Sequence, residues 1–77
     1  MTPEELWRGI DRLAEKNGLT PSGLAVRAGL DACAFNRCKR VNNGRPHWIT
    51  VETLSKILNA TNTSLMDFVN LIYLPEN

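Results

Sequence analysis

The chain has few of the residues that build catalytic or metal chemistry. Its 77 residues include one histidine and two cysteines. An acid–base or nucleophile set needs groups placed beside one another, and His47 has no carboxylate pair near it in the sequence. No enzyme is expected. Cys33, Cys38 and His47 are too few for a structural zinc site, so neither metal nor cofactor is expected. Two cysteines five apart on one helix point about 140° apart and cannot bridge. Reduced thiols, one buried and one exposed, fit a cytosolic protein. No apolar run approaches the roughly 18 residues of a membrane span. The first five residues, Met-Thr-Pro-Glu-Glu, lack the basic and apolar regions of a signal peptide. A cytoplasmic protein with no membrane partner is the expectation. Stretches that alternate apolar and polar residues with β-branched enrichment are also missing, so no strand is expected.

What is present reads as one all-α domain over residues 1–74, with 75–77 a tail or the start of a linker. A chain this short buries only about 60% of its unfolded surface, so its core is thin. Thr2, Pro3 and Glu5 form a capping box that opens a first helix, with Leu6, Trp7, Ile10, Leu13 and Ala14 inside. Asn17-Gly18 stops it. Thr20-Pro21 opens a second helix with Leu24, Ala25 and Ala28 inside. Gly29 makes a left-handed bend, and Leu30 plugs that bend into the core. Asp31 is expected to cap a third helix over residues 32–40. On it Ala34, Phe35, Cys38 and Val41 face inward, while Ala32, Cys33, Asn36, Arg37 and Arg40 face out. "NNGRPHWI", residues 42–49, reads as a loop. Thr50 caps a fourth helix with Val51, Leu54, Ile57 and Leu58 inside. Ser64 and Asp67 open a fifth, with Leu65, Phe68, Val69 and Ile72 inside and Leu71, Tyr73 and Leu74 partly outside.

Net charge is only +1, but its distribution is uneven. From Arg27 to His47, five basic side chains (Arg27, Arg37, Lys39, Arg40, Arg45) stand against Asp31 alone. The remainder holds four basic side chains against seven acidic ones. A basic end on an otherwise acidic domain suits docking on phosphate.

Two short helices joined by a glycine-containing turn make a helix-turn-helix unit, here at about residues 20–40. Such a unit lays its second helix in the DNA major groove, where each base pair presents a distinct donor and acceptor pattern. Ala32 and Cys33 are short enough to let the backbone approach. Asn36 can bond bidentately to adenine, and Arg37 to guanine O6 and N7. Lys39, Arg40 and Arg45 suit phosphate contacts, which position rather than specify.

The pattern Leu19-Thr20, Leu24-Ala25, Ala28-Gly29-Leu30 and Phe35 resembles the helix-turn-helix of the Cro and cI-type phage repressors, the xenobiotic-response-element family. The resemblance runs from about Ile10 to Ile72 and includes the "TSLMDF" opening of the last helix. Within that family, "GLDACAFNRCKR…GRPHW" is most similar to bacterial repressors carrying a LexA-type self-cleaving peptidase domain. The chain is then either a DNA-binding fragment or a stand-alone version. The resemblance implies a five-helix, lambda-repressor-like fold and sequence-specific binding of double-stranded DNA by a transcriptional repressor. It places base contacts at Ala32, Cys33, Asn36 and Arg37. It places phosphate contacts at Thr20 and Ser22 and, in the following loop, at Arg40, Asn43 and Arg45. Many members have Gln or Ser where Ala32 and Cys33 stand, and an acid where Lys39 stands. The expected partner is a two-fold symmetric operator with half-sites roughly 34 Å apart, bound by a weak homodimer. Leu71, Tyr73 and Leu74 are candidate dimer contacts. The rival reading is a protein-interaction module, such as an antitoxin, that retains the fold.

Overall fold

Helix starts form wherever a threonine or serine marks them. The computed structural model describes residues 1–74. They run α1 (Pro3–Lys16), α2 (Pro21–Arg27), α3 (Arg37–Arg40), β1 (Val41–Asn42), β2 (Arg45–Pro46), α4 (Val51–Ala60) and α5 (Leu65–Ile72). At α1 the capping box is complete. Thr2 Oγ1 accepts from the Glu5 amide at 3.2 Å, and Glu5 Oε1 accepts from the Thr2 amide at 2.8 Å. Thr20, Thr50 and Ser64 each accept from the amide three residues on, at 3.1 Å. Ser64 and Asp67 have capping-box spacing, but the box is one-sided among the described residues, because Asp67 is a methylene shorter than the Glu or Gln that reaches back.

Helix ends are equally well defined. After α2, the Gly29 amide donates to Val26 O at 3.0 Å and the Leu30 amide to Ala25 O at 2.9 Å. This is a Schellman turn, and it needs the positive φ of +77° that Gly29 adopts. Leu30 follows, half-buried against the core, as expected.

The core joins Leu6, Trp7, Ile10, Leu13 and Ala14 of α1 to Leu24 and Ala25 of α2, to Phe35, to Ile57 and Leu58 of α4, and to Phe68 and Ile72 of α5. α1 packs on α5 and α2, and α2 packs on α4. Close approach of α1 to α5 depends on Gly9. A Cβ built there would lie 2.6 Å from Ile72 Cγ1 and 3.0 Å from Phe68 Cζ. Arg12 closes the same interface by donating to the carbonyls of Leu71 (2.8 Å), Ile72 (3.2 Å) and Leu74 (2.9 Å). A cation there satisfies the orphan carbonyls at the end of α5.

Several expectations need correction. The domain is mostly helical rather than all-α, because residues 41–46 form a two-stranded hairpin. The third helix is not continuous over 32–40; only residues 37–40 are α-helical. Val51, Leu65 and Val69 are exposed instead of inside. Val51 is 79% exposed at the first position of α4, although Ile49 before it and Leu54 after it pack against the core. On α5 the face against α1 is only as wide as Phe68, Leu71 and Ile72, so Leu65 and Val69 fall outside it. Leu71 is half-buried against the core, partly outside as expected. Cys38 and Val41 face solvent, and both thiols are free and exposed. The expected tail at 75–77 lies outside the described residues. Among the described residues, no helix is long and apolar enough to cross a membrane.

Candidate nucleic-acid interface

The segment after Gly29 is built from tight turns rather than from one helix. Asp31 Oδ1 accepts from the Cys33 amide at 2.8 Å, so Asp31 does cap, but it caps a turn. The amides of Ala34 and Asn36 then donate to the carbonyls of Asp31 (2.9 Å) and Cys33 (3.0 Å), three residues back rather than four. Asn36 is extended, with φ −64° and ψ 150°, and a helical turn restarts at Arg37.

Two anchors hold this break. Phe35 is 2% exposed and meets Trp7 edge-on, with ring centroids 5.8 Å apart at 70°. An unbroken helix would give the Phe35 carbonyl to the Lys39 amide. Here the Lys39 amide bonds to Asn36 O at 2.8 Å instead. The Phe35 carbonyl accepts from Arg40 Nε at 2.9 Å. A side chain thus replaces the backbone donor that the break removes. The rest of the Arg40 guanidinium faces Asp11 on α1. Nη1 donates to Oδ2 at 2.8 Å and Nη2 to Oδ1 at 2.7 Å. The guanidinium lies over the Trp7 ring, 4.9 Å from its centroid.

The hairpin continues directly from α3. Val41 pairs with Pro46 and Asn42 with Arg45. Asn43 and Gly44 turn the corner with φ of 54° and 77°. Two positive φ values in a two-residue turn are the type I′ geometry that Asn-Gly favours. His47 ties the hairpin down. Its amide donates to Arg40 O at 2.9 Å, and its own carbonyl accepts from Trp7 Nε1 at 2.9 Å. Its ring nitrogens lie against the carbonyls of Lys39 and Trp48.

Ala32, Cys33, Asn36 and Arg37 are all exposed, but they do not share one helix face. Asn36 and Arg37 line a groove with Pro21 and Ser22 of α2, rimmed by Asp11 and Glu15 of α1. Cys33 lies in a different depression with Asp31, Ala34 and Lys39. Thr20 is exposed and Ser22 half-buried, at the start of α2. Asn43 sits at the hairpin turn, with Arg45 on the returning strand. Arg37, Lys39 and Arg45 form no ion pair among the described residues, whereas each nitrogen of the Arg40 guanidinium makes a hydrogen bond and its side chain is 16% exposed. Among the described residues no cluster of three metal donors occurs.

Sequence reasoning missed Asp11 and Trp7, which lie four apart on one face of α1 and together receive Arg40. It also read Asn43-Gly44 as a loop, although that dipeptide is a strong hairpin signal. No known protein family, curated protein or solved structure matches the chain.

Proposed function

We propose that this domain binds double-stranded DNA sequence-specifically, as the reading module of a repressor-type transcriptional regulator acting in the cytoplasm. The observation that carries the reading is the placement of Asn36 and Arg37. They stand exposed and adjacent at the start of α3, in one groove with Ser22, while Arg37, Lys39 and Arg45 bring positive charge that no described acid pairs. A guanidinium fork matches guanine O6 and N7, and a carboxamide matches adenine N6 and N7. Lys39, Asn43 and Arg45 flank these two as phosphate contacts, and the Thr20 and Ser22 hydroxyls add phosphate contacts from α2. Ala32 and Cys33 offer only apolar contact, of the kind a thymine methyl accepts.

The similarity to Cro and cI-type repressors belongs to this proposal, as does a two-fold operator. A weak homodimer fits it. Leu65, Met66, Val69 and Tyr73 form an exposed apolar stripe along α5, Met66 being 72% exposed. The same stripe is what favours the rival reading, a protein-interaction module of the antitoxin kind.

Selection of bound duplexes from a random pool, followed by salt titration of the selected duplex, tests the proposal. A shared half-site motif should emerge. Affinity should fall with salt by about 0.9 log unit per log unit of salt for each phosphate neutralised. Absence of an enriched motif, with salt-insensitive binding to a protein partner, would favour the rival.

A further inference from the structure

We infer that Arg40 and Asp11 are a positioning pair that aims Asn36 and Arg37 at DNA, and that Arg40 does not contact phosphate. The inference rests on the DNA-binding reading above.

Arg40 is held at three places. Nε takes the Phe35 carbonyl that the helix break leaves over. Nη1 and Nη2 take the two oxygens of Asp11. The guanidinium sits over the Trp7 ring. A two-pronged carboxylate pair fixes orientation as well as distance, and the rigid guanidinium plane is what a lysine lacks. Asn36 directly follows Phe35, and Arg37 lies one helical turn from Arg40. Both therefore leave the surface from a stretch fastened at each end to α1. To reach a phosphate, Arg40 would have to release Asp11 and expose the Phe35 carbonyl.

The sign of one substitution separates the alternatives. Asp11 rims the same groove as Asn36 and Arg37. If it were only a surface acid, removing it would favour a polyanion. As a positioning partner, its removal weakens specific binding. Asp11 is 47% exposed, so a change there leaves the core intact.

The test uses the full chain and a duplex from the selection, with Asp11→Asn, Arg40→Lys, Arg40→Gln and the Asp11→Asn/Arg40→Gln double variant, each checked by thermal melting. Asp11→Asn and Arg40→Lys should each lower affinity for the selected duplex about tenfold, with the salt slope unchanged. The double variant should bind no worse than the weaker single variant, because contacting partners are non-additive. Affinity for an unrelated duplex should stay level or rise. Tighter specific binding by Asp11→Asn overturns the inference. So does wild-type binding by Arg40→Lys together with a salt slope smaller by about 0.9 in Arg40→Gln, since that marks a phosphate contact. Amide exchange in the free protein distinguishes failure of the pair from failure of the DNA reading. Faster exchange at Asn36 and Lys39 in Asp11→Asn, with α1 and α5 unchanged, upholds the pair even if no duplex is selected. Unchanged exchange overturns it.

Discussion

Between α1 and α5 the contact is close and largely apolar: Gly9 has no side-chain Cβ to hold the helix away from Phe68 and Ile72, and Arg12 is the polar closure at its edge. Around residues 31–47 the chain is held quite differently. There the fastenings are directional and polar: Asp31 to Cys33, Arg40 to Phe35 and Asp11, and the His47 backbone to Arg40 and Trp7. Phe35 is the one large side chain of that segment in the fully buried core. Apolar packing is sensitive to volume and indifferent to charge, whereas the polar fastenings are sensitive to the identity of single groups. The first region decides whether the domain folds. The second decides which way a few exposed side chains point.

The largest expected effect lies in the first region. Gly9→Val introduces a β-carbon only 2.6 Å from Ile72 Cγ1, with two more carbons branching from it. Ile72 is fully buried and cannot swing aside. Overpacking of this kind costs about 3 kcal/mol, a large share of what a domain this small has in reserve. Thermal or urea melting should show the loss, while any folded fraction should select the same duplexes as the parent under the proposed DNA-binding reading. A melt equal to the parent's would break the contrast. Next comes Arg37→Ala, which should leave the melt unchanged and remove about 1–3 kcal/mol of discrimination at one base pair. Repeating the duplex selection with the variant measures it, and an unaltered motif would remove Arg37 from the base readers. Smallest is Arg45→Ala. It should weaken binding to every duplex alike and reduce the salt slope by about 0.9. A change in preferred sequence would mean that the hairpin reads bases.

The first region is legible in the sequence and the second only partly so. Caps at Thr2, Thr20, Thr50 and Ser64 are local devices that the chain spells out within four residues, and the structure has all of them. Helical periodicity locates Leu6, Ile10, Leu13, Phe68 and Ile72 correctly, because a helix face repeats whatever lies opposite. Val51, Leu65 and Val69 mislead because the apolar stripe in the sequence is wider than the face that finds a partner. The break at Asn36 is hidden for another reason. It depends on Arg40 reaching back to Phe35 and across to Asp11, a contact spanning 29 positions that no local pattern encodes. The exposure of Asn36 and Arg37 follows from helical spacing. Their separation from Ala32 and Cys33 does not, since that spacing carries no mark of an interruption.

Trp7 and Trp48 both belong to the neighbourhood of the polar region but differ in burial. Trp7 is buried under a guanidinium with its indole nitrogen committed to a carbonyl, and Trp48 is 52% exposed two residues after β2. The domain therefore carries two tryptophan fluorophores in contrasting surroundings. A soluble quencher such as acrylamide should reach the Trp48 emission well before that of Trp7. Stern–Volmer curves taken during titration with a duplex would then report the hairpin and the interior as separate optical channels, without a label.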